Sequence, residues 1–305
     1  MSDHAIPLEL TYRPGSPDDW PRVAEIVAET WEEGDYIDEG LWRRWATAPQ
    51  GYLAVAELDG VLAGFCKLTT FGPAEWWLEG IRVDPALRRR GIARALTGHM
   101  LEWFEKHGDG IVRLSTYSQN EASIRLATSF GFRHIVSYTE VEARATPTDF
   151  RRFKLLLPHQ FDLTYRYLQR SPMYRVNRFT ENAWKLYYLT RERLAQYLAD
   201  ETVQVAGWRQ FDQLHGLAIL PMKPPDGRMP DPSRLTVSYL DAPDDTTLRA
   251  MLRALCGLAA HRGQERIIWK MPTGVGLERV VADAGFERVW DEGGELWLFE
   301  RPVRQ

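Results

Sequence analysis

The chain has 305 residues, 44% hydrophobic and 26% charged, with a formal charge of −4: the composition of a folded protein at a length that favours two domains. The acidic balance argues against a protein built to grip a phosphate backbone, and two distant cysteines, Cys66 and Cys256, exclude a disulfide framework or a cysteine-rich metal site. No apolar run approaches the roughly 20 residues of a membrane span, and the first residues carry neither a basic leader nor an apolar signal core, so the expectation is a cytoplasmic protein without nucleic acid or membrane as partner.

Residues 9–13 read as a strand. Asp18 is the expected N-cap of a helix with Val23, Ile26, Val27 and Trp31 on one face. Runs 52–58 and 61–70 flank Asp59-Gly60, a hairpin turn pair, and strand 76–83 ends at Asp84-Pro85, where proline cannot donate to a ladder. Residues 91–106 are amphipathic, 111–117 return as strand and 120–130 as helix. Gly131 sits where a left-handed C-cap belongs, and 132–143 is strand. This order predicts an α/β architecture, helices packed on a mixed sheet.

The second half repeats the order. Strand 174–179, helix 182–198, strands 202–208 and 214–222, and strand 235–240 lead to Asp241-Ala242-Pro243. Helix 248–261, strand 265–271, a helix ending at Gly285-Phe286 and, after the turn Glu292-Gly293-Gly294, strand 296–300 follow. Asp241 lies 157 residues after Asp84, and Gly285 lies 154 after Gly131. Matched order at a nearly constant offset marks a tandem duplication. The expected domains are 1–145 and 161–305, joined by a linker at 146–160 with prolines and a basic run.

Chemistry concentrates where a strand turns into a helix through Arg88-Arg89-Arg90-Gly91-Ile92-Ala93-Arg94. Free N–H groups at a helix start and the positive end of its dipole bind anions. Gly91 and Ala93 keep the backbone bare, and the arginines add forked donors. A solvated basic turn is the plainer alternative; the strand–glycine–helix context favours a pyrophosphate site. There is no GxxxxGK[ST] loop, and Gly274-Val275-Gly276 fails as a dinucleotide fingerprint because Arg279 replaces the third glycine. The histidines show no metal-ligand spacing, so no metal is expected.

These residues resemble the signature of the GNAT superfamily of N-acetyltransferases, R/Q-x-x-G-x-G/A, here Arg88 to Ala93. A second motif, N-x-x-A-x-x-L-Y-x-x-x-G-F, follows as Asn120 to Phe132, with Ser123 at the alanine position. The resemblance covers residues 8–145 well and the second half in topology only. It implies two tandem acetyltransferase-like domains, the second degenerate, with acetyl-CoA as co-substrate. The amides of Arg90 through Arg94 would bind the pyrophosphate, aided by Arg88 and Arg89. Ile81, Arg82 and Val83 would carry the pantetheine arm on their backbone, Asn120 would hydrogen-bond it, and an amide near Val83 would be the oxyanion donor.

An alkylamine with a pKa near 10.4 gives up its proton at pH 7 only at a cost of roughly 4–5 kcal/mol, so a base is useful. Glu79 is the candidate, because period-two alternation places it on the same sheet face as Val83; Glu140 and Asp84 are weaker. The family's proton-donating tyrosine falls on Ala127, which cannot donate; Tyr117, Tyr138 or a water are the substitutes. The acidic and aromatic segment 29–39 with Trp42 and Trp45 would suit a cationic acceptor or is a solvated helix end. Of Trp76-Trp77, one ring is expected in the core and one in a cleft, and Cys66 is expected as a core thiol. The reading is an N-acetyltransferase acting on a small-molecule amine, with a homodimer left open. Its rival is a non-catalytic coenzyme A-binding sensor or scaffold. Either way, the second half lacks the arginines and glycine and is not expected to bind coenzyme A in the same way.

Overall fold

The computed structural model describes residues 9–30, 34–48, 51–72, 74–182, 184–222, 231–290 and 293–302. In chain order the elements are β1 (Leu10–Pro14), α1 (Trp20–Ala28), α2 (Glu39–Thr47), β2 (Tyr52–Leu58), β3 (Val61–Thr70), β4 (Glu75–Val83), α3 (Ile92–His107), β5 (Ile111–Tyr117), α4 (Glu121–Ser129) and β6 (Arg133–Arg144). There follow β7 (Phe153–Leu155), α5 (Phe161–Arg170), α6 (Pro172–Val176), β8 (Phe179–Asn182), β9 (Lys185–Tyr188), α7 (Arg191–Ala199), β10 (Val203–Gln210) and β11 (Gln213–Pro221). The last are β12 (Arg234–Val237), β13 (Tyr239–Asp241), α8 (Asp245–His261), β14 (Arg266–Pro272), α9 (Glu278–Asp283), β15 (Glu287–Arg288) and β16 (Leu296–Pro302). The α/β class is the expected one. Among the described residues no helix is long and apolar enough to cross a membrane.

Two compact units form, and neither is a continuous stretch. The first comprises Met1–Leu114, Ala122–Arg133 and Phe299–Gln305. In it β1 to β4 are antiparallel neighbours in sequence order, β5 is parallel to β4, and the end of β16 lies beside β5. Val23, Ile26 and Val27 of α1, at helical spacing, pack with Leu41, Trp42 and Trp45 of α2 over Val55 and Phe65. Entry to α1 differs from expectation. Ser16 and Asp19 form a capping box around a short 3-10 turn, so Ser16 takes the capping role assigned to Asp18. Trp31 lies outside the described residues.

Strand β4 is irregular on both flanks. Against β3, Lys67 pairs with Glu79 but Phe65 pairs with Arg82, so Gly80 and Ile81 together oppose Cys66 in a bulge. Gly80 has φ 67°, and a Cβ there would lie 2.6 Å from the Trp45 ring, so both conformation and space select glycine. Against β5, the ladder covers only Glu75–Trp77 opposite Ile111–Arg113. The end of β16 is fixed by charge: Arg113, 1% exposed, donates to Glu75 at 2.6 Å and to Glu300 at 2.9 Å, and Arg301 pairs with Glu105 at 2.7 Å.

The second unit comprises Ser115–Glu121 and His134–Leu298. Here β6 runs antiparallel to β14, β12 is parallel to β14, and β15 pairs β6. A separate sheet orders β13-β11-β10-β7, and β8-β9 is a hairpin. Helix α8 buries Leu248, Met251, Leu252 and Leu255 in its core. Three local expectations fail. The start of strand 174–179 is helix α6, because Ser171 caps Pro172–Val176. The first part of helix 182–198 is strand β9, whose Leu186-Tyr187-Tyr188 run suits a sheet, and α7 begins only after the Thr190 cap. Strand 235–240 is two strands in different sheets, split at Ser238. The units also divide the chain differently from the boundaries 1–145 and 161–305. Strand β6 groups with the second unit through its register with β14, the expected linker carries β7, and residues 299–302 return to the first unit through Glu300 and Arg301. Glu292, in the expected last turn, lies outside the described residues.

Candidate active site

Where β4 ends, Asp84 accepts the N–H of Ala86 at 2.8 Å and pairs with Arg22, fixing the turn Pro85–Leu87. This makes Asp84 a turn cap, not a base. Arg89 and Gly91 then adopt φ of 62° and 84°, and Gly91 is the N-cap of the 16-residue α3. A Cβ at Gly91 would meet nothing within 4 Å, so the left-handed φ alone selects glycine. Gly91 has no side chain with which to cap the first amides of α3, and Arg88, Arg89 and Arg90, just before it, are exposed. N–H groups at a helix start and the positive end of the helix dipole are the elements that an anion site requires. Ile92 is buried and anchors the helix. Arg94 leans over Phe130 with its guanidinium carbon 5.1 Å from the ring centre and donates to Ser129 at 2.8 Å, so its charge is engaged on α4 and the adjoining turn.

Glu79 is 9% exposed, stands opposite the buried Lys67, and accepts a 2.6 Å hydrogen bond from the Thr69 hydroxyl. The bulge overturns the alternation argument. Glu79 shares a face with Arg82, while Val83, paired with Gly64, is on the other face. Arg82 is committed to the fold: its guanidinium makes a buried two-point ion pair with Asp35, at 2.6 and 2.9 Å, and lies over the Tyr36 ring. Only its backbone remains for a ligand. Tyr36 is 43% exposed as a residue, yet desolvation at its hydroxyl and the nearby Glu79 raise that group above the ordinary phenol range. Tyr36 belongs to the acidic and aromatic segment 29–39; what sequence did not show is its place over Arg82, beside the Asp35–Arg82 pair that spans 47 positions.

The acidic segment before α2 is largely consumed by structure. Asp35 pairs with Arg82, Asp38 caps α2 through the Leu41 N–H, and Glu39 pairs with Arg43; residues 31–33 lie outside the described residues. Trp42 and Trp45 are core residues, as are both Trp76 and Trp77, so neither ring of that pair lines a cleft. Both cysteines are free and buried; burial pushes their thiols up, that of Cys256 to about 11. Ala127 is buried on α4. Asn120 immediately precedes α4, its N–H donating to the Tyr117 carbonyl at 2.9 Å, in the stretch 115–121 that groups with the second unit. Tyr138 is buried and donates to Asn177, and Glu140 is paired with Lys270. Among the described residues no group of three or more His, Cys, Asp or Glu is arranged to hold a metal.

The matching helix of the second unit starts differently. Asp244 caps α8 by accepting the Thr247 N–H at 2.8 Å, and Asp245 follows in the first turn. Asp241 is fully buried and accepts from Tyr167, Ser171 and Tyr239.

Residues 17–132 match the acetyltransferase (GNAT) family. The N-alpha-acetyltransferase RimI of Mycobacterium tuberculosis is 29% identical over 120 residues, 38% of this chain and 74% of that protein. The mycothiol acetyltransferase of Salinispora arenicola is 30% identical over 130 residues, 38% of either chain. A ribosomal-protein-alanine N-acetyltransferase of Escherichia coli is 36% identical over 74 residues, 24% of this chain and 49% of that protein. The chain thus spans less than half of the latter two. Among solved structures, a GCN5-related N-acetyltransferase from Sphaerobacter thermophilus aligns with a TM-score of 0.65 at 14% identity, covering 99% of this chain and 98% of that one. A tandem GNAT protein from the clavulanic acid biosynthesis pathway aligns with a TM-score of 0.59 at 15% identity, covering 97% and 99%. The tandem fold therefore extends over nearly the whole chain.

Proposed function

We propose, on the premise that this chain belongs through residues 17–132 to the acetyltransferase (GNAT) family, that it transfers an acetyl group from acetyl-CoA to a primary amine of a small molecule by direct attack on the thioester. The observation that carries this reading is the start of α3 at the left-handed Gly91, after the turn that ends β4 and preceded by three exposed arginines. In this reading acetyl-CoA supplies an activated acyl group. The amides of Arg90 to Arg94 and the guanidinium groups of Arg88 to Arg90 hold its diphosphate. Backbone groups of Ile81 and Val83, beyond the three-residue ladder of β4 with β5, orient the pantetheine arm as an added strand would. The Val83 amide faces the acetyl oxygen. Glu79, steadied by Thr69, takes the proton of the acceptor ammonium, directly or through one water. A thiol with a pKa near 8.5 leaves as thiolate without the acid that Ala127 lacks.

Ala127 also favours the competing reading, a coenzyme A-binding sensor without turnover. Calorimetry with acetyl-CoA, followed by thiol release with a panel of small amines and short peptides, separates the two. The expected result is binding, then release with a small amine. Release only with peptides would move the acceptor to protein amines, and binding without any release would support the sensor. A wild-type protein that binds no acetyl-CoA overturns both. Gly91→Asp places a strained side chain and an anion at the amides, and should weaken binding about tenfold or more.

A further inference from the structure

A formal charge of −4 for the chain conceals an uneven distribution. Residues 151–193, in the second unit, hold ten lysines and arginines against three carboxylates, a net +7, so the remainder carries −11. Much of the excess lies on α5 to α7. Along α5, Thr164 and Leu168 are buried while Arg166 and Arg170, one turn apart, are exposed. Arg191 opens α7 and lies over two rings of α5, its guanidinium carbon 5.2 Å from the Phe161 centroid and 5.6 Å from that of Tyr165. Those rings stack on each other at 5.8 Å. Tyr174 of α6 lies within electrostatic reach of Tyr165 and carries Arg178 over its ring at 5.8 Å. These contacts join three helices into one basic surface.

Its charges are unmatched. Among the described residues, Arg166, Arg170, Arg178 and Arg191 form no ion pair; Arg166 donates to the Asp162 carbonyl at 3.1 Å. The carboxylates on these helices, Asp162 and Glu192, stand in first turns, where the helix dipole favours them. Like charges gathered on one surface repel, and a polyanion removes that cost.

The rings select among polyanions. A guanidinium over a ring has one face covered and presents the other outward, where a planar base can stack, while its in-plane N–H groups serve phosphate oxygens. An acidic peptide brings charge without the plane. A bilayer needs an apolar face to enter it, and that of α5 is spent on the unit's own core.

We propose that Arg166, Arg170, Arg178 and Arg191, the last two backed by Tyr174 and Tyr165, form a docking surface on the second unit for single-stranded nucleic acid. The surface does not depend on the acetyltransferase reading.

The full chain is titrated with a fluorescein-labelled oligouridylate of about 12 nucleotides, read by anisotropy at salt from about 50 to 200 mM. Binding should be micromolar at the low end and weaken about 50-fold across the range, as four phosphate contacts to a single strand require. Arg166→Gln combined with Arg170→Gln should roughly halve the slope of log affinity against log salt. Arg191→Lys, which keeps the charge and removes the plane, should weaken binding about fivefold with the slope unchanged. Melting temperatures should hold in both variants, since the side chains are exposed. No saturable binding at low salt, wild-type binding in either variant, or equal affinity for polyglutamate or phosphatidylserine vesicles overturns the proposal, as does tighter binding of a duplex of that length. Excess coenzyme A should leave the strand bound. Its release by coenzyme A would put the strand on the arginines before α3 and equally overturn the surface.

Discussion

At Glu79 strict alternation fails while the residue stays a candidate base. Its place in the strand before the arginine-rich loop was readable, and so was its character as a carboxylate on a sheet face. Its face was not, because strict alternation assumes an unbroken ladder and Gly80 breaks it. Glycine in a strand often marks a bulge, and that signal was present in the Glu79-Gly80-Ile81 run. What the bulge does is bring Arg82 to the Glu79 side, where Asp35 and Tyr36 gather around it. If Glu79 is the base, Glu79→Gln should lower kcat most at neutral pH and recover as pH rises toward the amine pKa, where the acceptor deprotonates unaided. A pH–rate profile parallel to that of the wild type would remove Glu79 from the chemistry.

Between elements, the two long helices show how a repeat diverges. Helices α3 and α8 have nearly equal lengths, 16 and 17 residues, and follow corresponding strands. One begins at a glycine without a capping side chain; the other begins at an aspartate that uses one amide and adds charge repellent to anions. That contrast was legible in sequence, since Asp244 and Asp245 stand where arginine and glycine would be needed. Less legible was the segment 174–198, whose aromatic run reads equally as helix face or strand until its hairpin partner is known. By contrast, the hairpin 52–58 and 61–70 was read to the residue from Asp59-Gly60. Calorimetry should return one acetyl-CoA per chain. Asp244→Ala should cost about 1 kcal/mol of stability and leave that stoichiometry at one; two sites in either protein would refute the assignment.

For the molecule as a whole, duplication was visible from the offsets but the interleaving was not. Nothing local in Glu300 or Arg301 announces a partner nearly two hundred positions earlier. The buried Arg113 guanidinium makes that return necessary, since a cation without its carboxylates in the interior is strongly destabilising. Glu300→Ala should therefore lower stability by about 3 kcal/mol, read as an earlier thermal transition. A variant melting with the wild type would show that Glu75 alone suffices.

The return of β16 also sets a timetable for biogenesis. A ribosome presents Arg113 and Glu75 early, but Glu300 emerges only after residues 134–298 have been made. At typical elongation rates that interval is on the order of ten seconds. Throughout it, the nascent first unit carries an unfinished sheet flank beside β5, the kind of open edge that invites mispairing between neighbouring chains on a polysome.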